Sequence, residues 1–328
     1  MFRSPMIREN EMAIARPHVA ARTWTAPAPG AHRSPLGILL ASLAAALAAA
    51  LALVASARTG GTQTPAATAR YDVYAVKFAG YRGFPLRDLV LGADSTERQD
   101  LAFVVWVLEP VGAPGGHVVL FDAGFYRQKF LTAWKPVDFT RPSEAIARAG
   151  VRPEAVTDVI ISHVHWDHLD GADLFPRARI WLQRAEYEHY VGRDGRPLAG
   201  AIDTVDAMML ARLRRAGRVG LIDGDAKVVV PGITAYTGGR HTFASEYISV
   251  ATPAGTVVLA SDNVYTYQNL AQHRPIAATF APADSAANLA AQDRMRSLAA
   301  DPRFILPGHD PAIFTRFPTP GNGVARIE

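Results

Sequence analysis

Cysteine is absent from all 328 residues. That excludes disulfide scaffolding, thiolate zinc sites and cysteine nucleophiles, so a metal here can be held only by imidazole, carboxylate or other oxygen ligands. The absence says little about compartment, although it is compatible with an oxidising one. A strong charge imbalance is also lacking. The formal net charge is +4, from 34 basic and 30 acidic residues. Residues 1–35 hold Arg3, Arg8, Arg16, Arg22 and Arg33 against Glu9 and Glu11, five minus two, or +3 of that total. The rest of the chain is nearly neutral and offers nucleic acid no basic run, so no nucleic-acid partner is expected.

Charge of either sign is missing from residues 36–57, a run dominated by Ala and Leu. With no polar face, it is a poor candidate for a buried core helix. A basic flank followed by an apolar run ending Ala55-Ser56-Ala57 has the pattern of a secretory signal peptide with a small-residue cleavage site. The run is equally long enough to span a bilayer as an uncleaved membrane anchor. Either way, the basic flank places the chain beyond the run outside the cytoplasm, periplasmic or secreted. Residues 58–69 are small, polar and punctuated by Gly and Pro, the composition of a flexible linker. Residues 70–328 then form the globular domain, in a chain that is 49% hydrophobic and so has material for a sizeable core.

What that domain does have is a dense group of ligand-type side chains. Residues 158–171 read Asp-Val-Ile-Ile-Ser-His-Val-His-Trp-Asp-His-Leu-Asp-Gly, with His163, His165, Asp167 and His168 inside six positions. The β-branched run at Val159, Ile160 and Ile161 predicts a buried strand that breaks at Ser162. Three imidazoles and a carboxylate this close would be costly to bury unpaired, whereas neutral imidazole and carboxylate are what zinc-like ions take as ligands. On an extended segment His163 and His165 point the same way and can grip one ion. Asp167 and His168 come after the turn and can face a second position.

The surrounding chain reads as strands feeding loops. Strands are predicted at 71–78, 101–108 and 117–122, the last two joined as a hairpin through the Gly/Pro turn at 112–116. Residues 80–100 read as an irregular polar loop near the pocket. A short helix is predicted at 142–150, with Ser143 near its start and Gly150 as its stop. A strand is expected at 178–182, then an amphipathic helix at 203–215 whose Met208 and Met209 are expected to fill core. Three further strands, 233–236, 257–260 and 304–306, each run into a Gly or Ser break and then a ligand-type residue: His241, Asp262 and His309. These would share one rim of the scaffold, presented on loops. His18, His32, His117, His189 and His273 match no such slot and read as ordinary histidines.

His-x-His-x-Asp-His after an apolar strand resembles the signature of the metallo-β-lactamase superfamily of metal-dependent hydrolases. The resemblance implies an α/β fold, the metallo-β-lactamase-like αββα four-layer sandwich, with two mixed β-sheets and helices outside. It implies a site for two divalent metal ions, with zinc the expected identity. His163, His165 and His241 would hold one, Asp167, His168 and His309 the other, and Asp262 would bridge them. Asp122-Ala-Gly124 resembles the family's Asp-x-Gly turn, where a structural carboxylate is expected rather than a ligand. Tyr265, three residues after Asp262, and Trp166 in the motif resemble the N-acyl-homoserine lactonases. Asp262 itself disfavours a true β-lactamase, since those lack the bridging carboxylate. The implied activity is the opening of a lactone or related ester by a metal-bridging hydroxide. Tyr265 would act at the carbonyl oxygen, and Asp167 as proton relay. A thioesterase or a small-molecule phosphodiesterase of the same fold, and a non-catalytic metal-binding module, are the alternatives. The segment around His241 departs from the lactonase pattern by placing Arg240 beside a ligand, either as a substrate contact or as a salt-bridge partner.

Overall fold

The alternation along one strand sets the plan of the layers. In β2 (Arg98–Pro110), Ala102, Val104, Trp106 and Leu108 enter one buried cluster, while Phe103, Val105 and Val107 enter another. Successive side chains of a strand face opposite ways, so a strand apolar at every position must be covered on both faces. One face of β2 meets a second sheet and the other meets helices.

The structure is a computed structural model that describes residues 69–112 and 116–328. The expectations for 1–35, 36–57, nearly all of 58–69 and most of the 112–116 turn lie outside the described residues. Among the described residues, no helix is long and apolar enough to cross a membrane.

The first sheet has seven strands in the order β12-β1-β2-β3-β4-β5-β6. Beside β2 these are β1 (Tyr71–Pro85), β3 (Val119–Phe121), β4 (Asp158–Ile160), β5 (Arg179–Gln183), β6 (Val219–Ile222) and β12 (Val324–Ile327). It is antiparallel from β12 to β3 and parallel from β3 to β6. The second sheet runs β11-β10-β9-β8-β7, built from β7 (Lys227–Val230), β8 (Ile233–Thr237), β9 (Glu246–Thr252), β10 (Gly255–Ser261) and β11 (Ile305–Pro307). Only its β10–β11 pair is parallel. Between the sheets lie Val73, Trp106 and Phe121 from one side and Ile248, Val250 and Leu259 from the other. Outside the first sheet pack Phe130, Ile146 and the helix Thr204–Arg215, and outside the second packs the helix Ser285–Leu298 through Met295. This is the expected four-layer αββα sandwich of two mixed sheets.

Several local expectations need correction. Residues 80–100 are not one irregular loop. β1 continues to Pro85, pairing Gly80 with Ala102 and Pro85 with Arg98 across an irregularity between Tyr81 and Phe84. The reason is apolar. Phe84, Leu86, Leu89 and Val90 pack with Leu101, Tyr265 and Ile276, which a polar loop would not do. Met208 and Met209 divide, because adjacent helix positions lie about 100° apart: Met209 is buried and Met208 is 55% exposed. The 142–150 helix is an α-turn, Pro142–Ala145, tightening into a 3-10 turn, Ile146–Ala149. It stops where Gly150 takes φ +85°, a left-handed conformation that glycine accepts freely.

Trp106 is 2% exposed and sits between the sheets. Trp106→Ala should cost about 3–5 kcal/mol of stability, the range for deleting a buried large aromatic. Urea unfolding monitored by circular dichroism would show this as a lowered midpoint.

Candidate metal centre

Both sheets end at one rim, and each strand that ends there delivers part of a single cluster. β3 runs into Asp122, β4 into residues 161–168, β8 into the loop carrying His241, β10 into Asp262, and β11 into His309. After β4 the chain bends at Ser162 and Val164 and then enters a helical turn, Trp166–Leu169. His163 and His165 meet at one position, and Asp167 and His168 lie at the next.

Seven side chains converge. His163 Nε2 lies 3.0 Å from His165 Nδ1, and His241 Nε2 lies 2.9 Å from that same atom. Asp167 Oδ2 is 3.5 Å from His168 Nε2 and 3.6 Å from His309 Nε2. Asp262 stands between the two groups and divides its oxygens. Oδ2 is 3.7 Å from His163 Nε2 and 3.3 Å from His241 Nε2, while Oδ1 is 3.2 Å from His168 Nε2 and 2.9 Å from His309 Nε2. Two groups thus have the composition and closeness to hold a metal ion: His163, His165, His241 and Asp262, and Asp167, His168 and His309.

The outward ring nitrogens are anchored by neighbours. His168 Nδ1 donates to Asp122 Oδ2 at 2.8 Å, His241 Nδ1 to the Ala278 carbonyl at 2.7 Å, and His309 Nδ1 to the Ala102 carbonyl at 3.2 Å. Such partners fix the ring and turn Nε2 inward. Asp122 is the structural carboxylate of the site. Besides His168, it accepts from Ser162 N at 2.8 Å and from the Ser162 and Ser261 hydroxyls at 3.0 Å each, tying the two sheets together at the rim.

Electrostatics divides the cluster. Burial, and then the neighbouring imidazoles, hold His163 and His165 well below the usual histidine range, and burial lowers His241 too. These three are neutral and ready to ligate. Burial also works against charge on His168 and His309, but Asp262 and Asp167 overcome it and raise both. Burial likewise opposes charge on Asp262, yet His168 and His309 hold it well below the carboxylate range. Protons on this second side stand where positive charge is demanded. His168 Nε2 and Asp262 Oδ1 are also fully buried and, though only 3.2 Å apart, have no partner in good hydrogen-bond geometry. Nitrogens held about 2.0–2.1 Å from a tetrahedral zinc are about 3.3 Å apart, so the cage is of the right size as well as the right chemistry. The residues fit divalent metal.

A model of the metallo-beta-lactamase superfamily matches residues 98–309. The chain belongs to that superfamily. An N-acyl homoserine lactonase of Bacillus cereus is 28% identical to it over 193 residues, 58% of this chain and 70% of that protein. One from Bacillus thuringiensis is 28% identical over 159 residues, 48% of this chain and 58% of its own length. Among solved structures, a quorum-quenching N-acyl homoserine lactone lactonase superposes with a TM-score of 0.61 at 21% identity, over 79% of this chain and 99% of its own. An N-acyl homoserine lactone hydrolase with N-hexanoyl-L-homoserine bound at its catalytic metal centre does so with a TM-score of 0.61 at 20% identity, over 79% of this chain and 100% of its own. At these identities the structures establish the shared fold.

The other residues singled out from the sequence of this superfamily member take varied places. Tyr265 reaches the site: its ring is 5.5 Å from that of His241 and 6.0 Å from that of His309, with the hydroxyl 3.4 Å from His241 Nδ1. Trp166 stacks on Phe130 at 4.9 Å and lies 5.0 Å from Trp134 and 4.6 Å from Phe125. Arg240 pairs with Asp284 at 3.2 Å and lies over Phe243 and Phe280, so the salt-bridge reading describes it. His117 pairs with Asp158 and His273 with Asp293, but His189 is less ordinary. It stacks flat on Phe243 at 4.0 Å, packing the loop that carries His241. His18 and His32 lie outside the described residues. Glu186, which no spacing marks, is buried beside the same loop, and burial pushes its carboxyl up to about 7 against three hydrogen-bond donors.

Asp122→Asn keeps the shape but turns one acceptor into an N–H donor facing His168 or the serines. Competition with a chromophoric chelator should show metal affinity lowered about 10–100-fold, the usual cost of losing an outer partner of a ligand. The far-ultraviolet circular dichroism should stay unchanged.

Proposed function

We propose that this domain is a dinuclear metal-dependent hydrolase that opens the ring of a lactone or a related ester, with N-acyl-homoserine lactones as the substrate class. The observation that carries this is Asp262, whose two oxygens serve two adjacent groups of ligands while Tyr265 stands at the edge of both. The similarity to N-acyl homoserine lactonases supports the substrate class.

In this reading His163, His165 and His241 hold one cation, Asp167, His168 and His309 the other, and Asp262 is shared. Zinc is the expected identity, because imidazole and carboxylate without thiolate suit it. Two such ions, when bound, supply Lewis acidity and a water acidified towards neutrality. The protein's own groups do the rest. Burial first, and then the Asp262 and Asp167 carboxylates, push the Tyr265 phenol well above its ordinary range. It therefore stays protonated and donates to the carbonyl oxygen as negative charge develops there. Asp167 is the most exposed carboxylate of the cluster, at 14% of its side chain, and would relay the proton given up by the attacking water to the departing ring oxygen. Trp166 and Trp134, partly exposed with the buried Phe130 packed against Trp166, offer beside Asp167 an apolar surface suited to an acyl chain. From the sequence of residues 1–57, the domain works outside the cytoplasm.

Ring opening liberates an acid, so a pH indicator reports it directly. The zinc-loaded full-length chain should release protons from an N-acyl-homoserine lactone, and His165→Ala should abolish the signal. Tyr265→Phe should lower turnover about 10–1,000-fold, at or below the cost of losing one oxyanion donor. Unchanged turnover would remove Tyr265 from the chemistry. Silence from a chain that still holds two metals would move the substrate to thioesters or small phosphodiesters.

A further inference from the structure

Behind the cluster, one helix touches both loops that carry the three-histidine group. The helix Arg184–Tyr190 comes directly after β5, and its Glu186 is 1% exposed. Glu186 Oε1 accepts from Val164 N at 3.2 Å and from the Thr242 hydroxyl, and Oε2 accepts from Ala244 N at 2.6 Å. Val164 lies between His163 and His165, and Thr242 is next to His241. One carboxylate therefore joins loops about 80 positions apart in sequence, as their residue numbers show. Neighbouring contacts reinforce it. Gln183 Nε2 donates to Glu246 Oε2 at 2.7 Å, Glu246 N donates to the Ser162 carbonyl at 2.8 Å, and Phe243 N donates to the Tyr190 hydroxyl at 3.2 Å. Nothing comparable runs from this helix to Asp167, His168 or His309 among the described contacts.

We propose that Glu186 is a positioning residue that clasps the 162–165 and 241–245 loops together and so sets the affinity of the cation position formed by His163, His165 and His241, independently of the other position. This rests on the two-cation reading of the site. The physical basis is the convergence of the three ligand nitrogens within about the spacing a single zinc requires, which the two loops can keep only while their separation is fixed. The loops share no strand pairing at the ligands themselves. Three donors meeting two carboxylate oxygens fix that separation from behind, where water cannot substitute. A glutamine is not equivalent here, because its amide N–H would face a donor.

Zinc titration of the metal-free full-length chain, read by competition with a chromophoric chelator, tests the clasp without any substrate. The wild-type chain should take two ions. Glu186→Gln should weaken one binding event about 10–100-fold, the scale for losing an outer partner of a ligand, and leave the other unchanged. Thr242→Val removes a single donor and should weaken the same event by less, which keeps the test open if the Glu186 variant does not fold. In a His241→Ala background, Glu186→Gln should have no further effect on the remaining ion. Equal weakening of both events, or of neither, would overturn the clasp. A wild-type chain that takes fewer than two ions would instead overturn the two-cation reading on which it stands.

Discussion

The structure depends on a crowding of buried lone pairs and carboxylate charge that a cation relieves. Five imidazoles and two carboxylates are packed at the rim of the sandwich, with ring nitrogens 2.9 and 3.0 Å apart and carboxylate oxygens among them. Buried acceptors facing one another are strongly unfavourable unless something accepts their lone pairs. Protons relieve part of this on the Asp262 side, where His168 and His309 are raised. The three-histidine side stays neutral and turned inward. Divalent metal would accept these inward lone pairs, and much of the surrounding architecture holds the ligands close together.

That holding comes from strand ends and from backbone that would not otherwise be chosen. Asp122 and Ser261 both adopt left-handed φ, +62° and +46°, at the points where β3 and β10 stop. Non-glycine residues take such angles at a cost that surrounding contacts must offset. Here the contacts are explicit, since the two side chains are bonded to each other at 3.0 Å across the sheets. Gly308 serves the same rim by being small: a Cβ there would sit 2.9 Å from Asp262 Oδ1 and 2.8 Å from the Ser261 carbonyl carbon. The cluster is thus fixed by the end geometry of two sheets rather than by one flexible loop.

The part of this legible in the sequence was the part written locally. Apolar runs at 101–108 and 159–161 announce buried strands, and the ligands come at strand ends, so the seven converging residues could be picked out in order. The fold was implied by the resemblance those residues carry. What escaped was written in contacts distant along the chain. β1 runs on to Pro85 because Phe84 and Leu86 find partners near Ile276, far along the sequence. Glu186 sits in an ordinary helix, and its meaning lies in donors near residues 164 and 243. Arg240 takes its meaning from Asp284, distant along the chain, and Met208 parts from Met209 only through the helix's rotation.

The central claim is that Asp262 is shared by two cations. Anomalous X-ray diffraction at the zinc edge from metal-loaded crystals tests it most directly. Two peaks flanking the Asp262 carboxylate, about 3.5–4 Å apart as in two-metal hydrolytic sites, are the predicted result. A single peak, on one side of Asp262 only, would contradict it.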